Sequence, residues 1–252
     1  MTVAPLSQAE VEIVENAVLG GRVRLRQPVR GYRAGMDAAL LAAAVTAEPG
    51  QRVIEAGCGA GAVLMQIAAR RPGVFLTGLE RDPAMAALAR ENAALNRVEA
   101  TVVEGDVAAG FRALHLPPFD QAVSNPPFFD DPGALRAPAP GKRGAWMADD
   151  GLKAWTDFLL GAVREGGRIT VIHRADRLAD LLALLGEKAG SFAVRGIHPY
   201  ADEPAKRVLV QAIRTGKAPL RLLPPLVLHD RSGTKHTAEA EAVLRGETAL
   251  PF

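Results

Sequence analysis

Hydrophobic and polar positions along this chain fall into two kinds of run that predict two kinds of element. From residue 52 onward, short runs rich in β-branched residues alternate with longer stretches that have helical periodicity. This alternation is typical of βαβ units, which hold a mostly parallel sheet between two layers of helices. We predict seven strands, at residues 53–55, 74–79, 101–104, 121–124, 168–173, 192–198 and 207–213.

Capping signals place helices between these strands. Pro83 stands at a first-turn position and predicts a helix that ends near residue 96. Asp176 is a candidate cap for a helix that continues through residue 189, and Asp37 is a candidate cap for a helix over residues 38–46. The fold class predicted is therefore α/β, with helices on both faces of the sheet.

Three segments lie outside the alternation. Before it, Val23 and Leu25 alternate with arginines as in an edge strand. Residues 130–150 form a long loop rich in proline, glycine and alanine, and loops of this length usually bind something or are disordered. After the last strand, a helix is predicted from Thr237 to Gly246. We expect one domain over residues 1–252, with an N-terminal extension (1–50), a catalytic core (51–216) and a C-terminal extension (217–252).

Composition limits the classes of protein that fit. The 252 residues are 48% hydrophobic and 23% charged, which is ordinary for a globular protein and argues against disorder. The single cysteine, Cys58, excludes an intramolecular disulfide and a cysteine-based zinc site, and we expect no metal. The longest apolar stretch, residues 38–47, is too short to span a bilayer. We expect a cytoplasmic protein that has no contact with a membrane.

The first predicted strand leads into a glycine-rich turn, Glu55-Ala56-Gly57-Cys58-Gly59-Ala60-Gly61. Glycines let the backbone turn sharply and let a ligand lie against bare main chain at the positive end of the following helix. We assign Glu55, Gly57, Gly59 and Gly61 to cofactor binding. The spacing also satisfies the dinucleotide fingerprint, so a dehydrogenase remains an alternative at this point.

Two further positions extend this candidate cofactor site. Glu80 ends the second strand, about 20 residues beyond the turn, where a carboxylate can accept hydrogen bonds from ribose hydroxyls. After the third strand, Asp106 could accept from an adenine amino group while Val107 covers the ring. Asp106 is equally well explained as a helix cap.

The most specific motif follows the fourth strand and reads Asn125-Pro126-Pro127-Phe128. The two prolines fix φ and keep the residues before them extended, so the side-chain carbonyl of Asn125 and the backbone carbonyl of Pro126 are held rigidly. Two fixed acceptors can bind both N–H groups of one planar amino group and favour a pyramidal nitrogen that can attack a methyl group. Phe128 offers a face on which a planar group can stack. We predict these four residues as catalytic.

Together, the glycine turn, Glu80, Gly105-Asp106 and Asn-Pro-Pro-Phe resemble the class I amino-methyltransferases. The resemblance implies a Rossmann-like, seven-stranded, mostly parallel sheet with an antiparallel last strand, and S-adenosyl-L-methionine as cofactor. Residues 31–41 are similar to the opening segment of the bacterial enzymes that methylate N6 of the adenine beside the anticodon of valine tRNA. This implies that Arg33 and Asp37 border the active site, although Asp37 is equally a helix cap. Lys142 and Arg143 are candidate contacts to tRNA.

Other acceptors share this chemistry. The same motif occurs in enzymes that methylate the glutamine amide of peptide release factors and in those that act on N2 of guanine in ribosomal RNA. A cluster of arginines before Asp37 favours a phosphate-bearing acceptor, but such a run is as often only a solvated face. A non-catalytic RNA-binding relic is a further alternative. We therefore expect an S-adenosylmethionine-dependent tRNA adenine-N6 methyltransferase that has tRNA as its partner. The arginines concerned are Arg22, Arg24, Arg26, Arg30 and Arg33.

Overall fold

The computed structural model describes residues 12–29, 35–127, 148–231 and 235–252. Within these ranges the chain forms strands and helices in the alternating order that the sequence predicts. The strands are β1 (Ile13–Val18), β2 (Val23–Pro28), β3 (Arg52–Ala56), β4 (Phe75–Glu80), β5 (Ala100–Glu104), β6 (Phe119–Ser124), β7 (Val163–Arg174), β8 (Ala189–His198), β9 (Arg207–Arg214) and β10 (Arg221–Val227). The helices are α1 (Met36–Ala44), α2 (Ala62–Arg70), α3 (Pro83–Asn96), α4 (Ala148–Ala162), α5 (Leu178–Leu185) and α6 (Ala238–Arg245).

The main sheet has eight strands in the order β10-β8-β9-β7-β6-β3-β4-β5. All seven predicted strands are present, and β9, the seventh of them, runs antiparallel to both of its neighbours, as expected. The eighth strand, β10, was not predicted because Pro224 and Pro225 cannot donate to a ladder. The strand accommodates them at the sheet's edge, where the pairing with β8 shifts register between Leu223 and Leu226.

Helices cover both faces of this sheet, as the sequence indicates. On one face, α1, α2, α3 and α6 bury side chains such as Leu41 and Leu64 against Val53 of β3. On the other face, α4 and α5 bury Phe158 and Leu181 against strand residues that include Ile54. Neighbouring residues of β3 thus point into different layers, which explains why Val53 and Ile54 are both apolar.

The segments before and after the core are hydrogen-bonded to core helices. β1 and β2 form a separate two-stranded antiparallel sheet, and the predicted edge strand at Val23 and Leu25 is confirmed. Asn92 of α3 holds β2 by accepting from the Arg26 N–H (2.8 Å) and donating to the Arg26 carbonyl (2.9 Å). At the other end of the chain, the N–H of buried Leu250 donates to the Ala43 carbonyl of α1 at 2.9 Å.

Two of the predicted helix caps are wrong. α1 begins two residues earlier than expected, at Met36, so Asp37 lies inside the first turn and makes no cap. Asp176 lies in a short 3-10 turn, where its carboxylate accepts from Arg174. The helix that follows ends at Leu185 rather than near residue 189, because β8 begins at Ala189.

The predictions for α3 and α6 are confirmed. α3 spans Pro83–Asn96 as predicted, with the Asp82 side chain as its cap. α6 has Thr237 as its cap and Gly246 in the left-handed conformation at its end, as predicted. The long loop predicted over residues 130–150 is shorter at its end, since α4 begins at Ala148; residues 128–147 lie outside the described ranges.

Candidate active site

The glycine turn joins β3 to α2 and is fastened to the end of the neighbouring strand β4. The backbone N–H groups of Gly57 and Cys58 both donate to the Leu79 carbonyl, at 2.8 and 2.9 Å. Gly59 adopts φ +52°, a left-handed conformation that favours glycine. The turn is therefore held in a fixed shape at the N-terminal end of α2, where backbone N–H groups favour an electron-rich ligand.

Glu80 connects this turn to the loop after β4. One carboxylate oxygen accepts from the Gly59 N–H at 2.8 Å and the other accepts from the Asp82 N–H at 2.8 Å. Each carboxylate oxygen has a second lone pair available for another donor. The side chain is thus fixed in position by the protein and retains acceptor capacity for the ribose hydroxyls expected at this position.

Glu55 is buried at the end of β3, with an exposed fraction of 3%. Loss of solvation by burial, followed by the nearby charge of Glu80, holds the pKa of the Glu55 carboxyl well above its ordinary value. Its Oε2 atom has no hydrogen-bond partner within the described part of the chain. An acceptor left without a partner in a low-dielectric site is costly, and a bound ammonium group would satisfy it.

Asn125 and Glu55 line the same small cavity. The cavity measures about 40 Å³ and is bounded by Ala38, Glu55, Gly57, Cys58, Ala62, Val63 and Asn125. Asn125 reaches it because β6 pairs in parallel with β3, so that both strands end at the same edge of the sheet. The fold therefore brings the predicted catalytic asparagine next to the predicted cofactor turn.

Trp155 of α4 packs directly on the bare backbone of Gly57. A Cβ atom at Gly57, whose φ is +70°, would overlap the Trp155 indole ring. Glycine is thus required at this position both for its backbone conformation and for the close approach of the ring. Trp155 was not predicted from the sequence, because a single tryptophan in an amphipathic helix is more simply explained as a core residue. Its contact with Gly57 places an aromatic side chain at the cofactor turn.

Asp106 adopts the capping arrangement that the sequence left open. Its Oδ1 atom accepts from the Ala108 N–H at 2.9 Å and caps a short 3-10 turn. The Oδ2 atom lies 3.7 Å from Arg81 Nη1. Val107 lines a second pocket, of about 330 Å³, between this turn and α4. The contact of Asp106 with an adenine ring stays a prediction.

The predicted substrate-binding residues have different outcomes. Asp37 forms an ion pair with Arg207 of β9 (Oδ2 to Nε, 3.0 Å), and its neighbour Ala38 lines the small cavity, so Asp37 lies near the site. Phe128, Arg33, Lys142 and Arg143 lie outside the described residues. Their predicted roles stay predictions.

Three of the N-terminal arginines have partners within the protein. Arg22 donates to the carbonyls of Arg245 and Gly246 at the end of α6, at 3.2 and 2.7 Å. Arg24 and Arg26 both form ion pairs with Glu15 of β1. These contacts favour the interpretation of the run as a structural, solvated face over a dedicated RNA surface.

Cys58, on the glycine turn, is a buried free cysteine. Burial raises the pKa of the Cys58 thiol above its ordinary value, which suits a packed spacer and not a nucleophile. Within the described ranges, no group of three or more His, Cys, Asp or Glu side chains could hold a metal ion. No described helix is both long and apolar enough to cross a bilayer.

Part of the chain matches a known family model, and several named proteins are similar to it. Residues 33–136 match the methyltransferase small domain. Two relatives, from Yersinia enterocolitica and Dickeya chrysanthemi, bear the name tRNA1(Val) (adenine(37)-N6)-methyltransferase. The first is 38% identical over 41% of this chain and 42% of its own length. The second is 28% identical over 76% of each chain.

Other similarities extend beyond this group. A release factor glutamine methyltransferase from Deinococcus radiodurans is 40% identical over 35% of this chain and 30% of its own length. The matches to this relative and to that from Yersinia enterocolitica thus cover less than half of the relative's length. Among solved structures, an Agrobacterium tumefaciens protein described as a predicted O-methyltransferase has a TM-score of 0.69 and 28% identity, over 86% of this chain and 99% of its own.

A second solved structure shares the fold at lower identity. It is the Thermus thermophilus 16S rRNA N2 G1207 methyltransferase in complex with AdoMet and guanosine, with a TM-score of 0.58 and 20% identity, over 81% of this chain and 50% of its own. The chain therefore has the fold of the class I methyltransferases, with a methyltransferase small domain matched over residues 33–136, and its cofactor is S-adenosylmethionine.

Proposed function

We propose that this protein methylates the exocyclic N6 of an adenine in tRNA, at the position beside the anticodon of valine tRNA. The observation that carries the proposal is the cavity shared by Asn125, Glu55 and Gly57, which joins the amino-group motif to the cofactor turn. The names of the relatives from Yersinia enterocolitica and Dickeya chrysanthemi support tRNA as the substrate class. A tRNA acceptor would also place the enzyme in the cytoplasm.

Some residues of the site bind the cofactor and others bind the acceptor. S-adenosylmethionine, when bound, supplies a methyl group on a sulfonium centre, which a nucleophile can displace. The partnerless Oε2 of Glu55 suits the ammonium group of the cofactor, and Glu80 suits its ribose hydroxyls. Gly57, Gly59 and Gly61 give the main-chain surface against which the cofactor would lie, and Asp106 with Val107 would hold its adenine.

Asn125 and Pro126 act on the acceptor. The side-chain oxygen of Asn125 and the carbonyl of Pro126 accept the two N–H hydrogens of the amino group and orient its lone pair toward the methyl carbon. Positive charge develops on the nitrogen as the new bond forms, so these two acceptors bind the transition state more tightly than the ground state. The proton is lost to solvent afterwards, because bonding to the methyl group makes it acidic.

A second candidate is methylation of a glutamine amide in a release factor. The 40% identity to the Deinococcus radiodurans enzyme over 88 residues favours it, and the chemistry at Asn125 would be the same. An rRNA guanine N2 is a third acceptor of the same kind, and a non-catalytic RNA-binding role is the least favoured alternative. The experiment that separates them is incubation with labelled S-adenosylmethionine and, in separate reactions, tRNA, ribosomal RNA and release factor. Digestion should yield N6-methyladenosine from tRNA alone; methylglutamine or methylguanosine would refute the proposal.

A further inference from the structure

The edge of the sheet that carries Asn125 continues over β7, β9 and β8. β7 runs parallel to β6, so the end of β7 at Arg174 lies at this edge. β9 is antiparallel, and its first residue, Arg207, pairs with Arg174 on one side and with Ile197 near the end of β8 on the other. The surface beside Asn125 is therefore formed first by the ends of β7 and β9 and then by the loop after β8.

The nearer part of this surface carries arginines. Arg174, Arg177 and Arg207 surround His173, which is 3% exposed. Burial first, and then the charges of these three arginines, lower the pKa of His173 to about 4. Ion pairs position the guanidinium groups: Arg174 with Asp176, Arg177 with Asp180 and Arg207 with Asp37. Each of the three arginines thus has an acidic partner that sets the orientation of its guanidinium group at this point of the edge.

The farther part carries a group of rings. We call Tyr200, His229 and His236 the ring cluster. The Tyr200 and His229 rings lie 5.6 Å apart, and His229 and His236 are stacked at 5.1 Å with an interplanar angle of 25°. The guanidinium of Arg231 lies 4.5 Å above the Tyr200 ring, and the Arg231 side chain is 63% exposed.

Backbone hydrogen bonds fix the ring cluster to the sheet. The Leu228 N–H donates to the His198 carbonyl at 2.8 Å, and the His229 N–H donates to the Pro199 carbonyl at 2.9 Å. The loop after β8 is closed by a bond from the Glu203 N–H to the Tyr200 carbonyl at 3.1 Å. These bonds hold Tyr200 and His229 in place relative to β8 before any ligand arrives, which lowers the entropic cost of binding.

This combination fits a single-stranded nucleic acid. Arginines track phosphates, while aromatic rings and guanidinium planes stack on unpaired bases. β8 lies three strands from β6 and β10 lies four, so a spacing of about 4.8 Å per strand puts the ring cluster roughly 14–19 Å from Asn125. That distance is too long for contact with the acceptor base itself and suits nucleotides that flank it.

We propose that Arg174, Arg207 and the ring cluster with Arg231 form a track for the unpaired RNA next to the acceptor nucleotide. The proposal rests on the proposed function in taking RNA as the acceptor. The track would make the enzyme prefer an adenine in an exposed loop over one in a duplex. It would also discriminate an RNA loop from the glutamine-bearing loop of a protein, which has no series of bases to stack.

Binding of two RNAs by fluorescence anisotropy tests the ring cluster. The probes are a labelled stem-loop that copies the anticodon arm of valine tRNA and a fully paired duplex of the same length. Exchanging Tyr200 and His229 together for Ala should weaken stem-loop binding by about tenfold or more, since each stacked base is worth on the order of 1–3 kcal/mol. Duplex binding should stay within about twofold of wild type.

Control variants separate stacking from folding. Tyr200→Phe keeps the ring and should bind the stem-loop normally. Phe75→Ala removes an aromatic ring that is 64% exposed at the opposite edge of the sheet and should have no effect. If the double variant does not fold, Arg231→Gln at an exposed position still tests the cluster, with an expected decrease in affinity of about two- to fivefold. Stem-loop affinity equal to wild type in the folded double variant or in Arg231→Gln overturns the proposal.

Salt dependence tests the arginine part. Arg174→Gln should reduce the slope of log affinity against log salt for the stem-loop by about 0.7 for each phosphate that the variant no longer binds. Arg164 is a matched control, because it lies at the opposite end of β7 and also has an acidic partner, Asp120. Arg164→Gln should leave the slope unchanged. Equal slopes for both variants would contradict the track.

Methyl transfer measured on the same proteins distinguishes this proposal from the proposed function. If the wild-type protein binds the stem-loop through the ring cluster but methylates only ribosomal RNA, the proposed function is wrong and the track stands; methylation of release factor alone overturns both. If tRNA is methylated and the double variant binds the stem-loop like wild type, the function stands and the track is wrong. Failure of the wild-type protein to bind the stem-loop overturns the track outright.

Discussion

Replacing Asn125 by Ala should nearly abolish methyl transfer while leaving the fold intact. Asn125 directly follows β6, where Ser124 pairs with Ala56 on one side and Val171 on the other and its hydroxyl donates to the Ala56 carbonyl at 3.0 Å. The acceptor is therefore fixed before the substrate arrives. Removal of one such preorganised partner costs about 10²–10³ in rate, or roughly 2.7–4 kcal/mol. The asparagine is only partly buried, so the free energy of unfolding should change little.

The assay is single-turnover methylation at saturating tRNA and cofactor, which isolates the methyl-transfer step from binding. Asn125→Asp retains an acceptor oxygen and should keep more activity than Asn125→Ala. Asn16→Ala, in the β1–β2 hairpin, is a control that should methylate at the wild-type rate. Thermal melting checks the fold of each variant. An Asn125→Ala protein that still methylates within about tenfold of wild type, a change of only about 1.4 kcal/mol, would show that the motif is structural.

Three further predictions follow from the cofactor turn and the buried histidine. Glu80→Gln should weaken S-adenosylhomocysteine binding by roughly 1.5–3 kcal/mol in calorimetric titration. The control Glu104→Gln, at the paired position on β5, should bind like wild type. Equal affinities of the two variants would show that Glu80 does not bind the ribose. Because Trp155 packs on Gly57, cofactor binding should change the fluorescence of Trp155. If the Trp155→Phe variant shows the same fluorescence change on cofactor binding as wild type, the contact is contradicted. Burial and nearby arginines lower the pKa of His173 to about 4, so the unfolded chain takes up the proton first as the pH falls. The free energy of unfolding should then decrease below about pH 6.5 by up to about 1.4 kcal/mol per pH unit, which urea unfolding at several pH values would measure. His173→Gln should remove this pH dependence, and the control His115→Asn, at an exposed position, should keep it.

The part of the site that the sequence predicts is the part made by neighbouring residues. The glycine turn and Glu80 each follow directly from a strand, and parallel pairing brings their ends together. The same rule places Asn125 beside Glu55, since β3 and β6 are neighbours. Local periodicity and the known behaviour of parallel sheets were therefore enough to find these residues.

Contacts between distant residues could not be predicted in this way. Trp155 meets Gly57 only because α4 packs across the ends of the strands, and Asp37 pairs with Arg207, 170 positions away along the chain. The cap position of α1 is occupied by Gly35, while Asp37, in the first turn, pairs with Arg207. β10 was missed for another reason: the edge of a sheet tolerates two prolines that a central strand would not.

The bond from Leu250 to Ala43 has a consequence for the synthesis of the protein. α1 contributes Ala38 to the cavity, and its other end is held by a residue that is translated some two hundred positions later. Arg195 adds to this closure by donating to the Pro251 carbonyl at 2.8 Å. A domain that folds as a unit during translation cannot complete such a contact until residue 250 has left the ribosome. A nascent chain that still lacks residue 250 would hold the sheet and the glycine turn but an unsecured α1, so the newly made enzyme should acquire its cofactor only after that point.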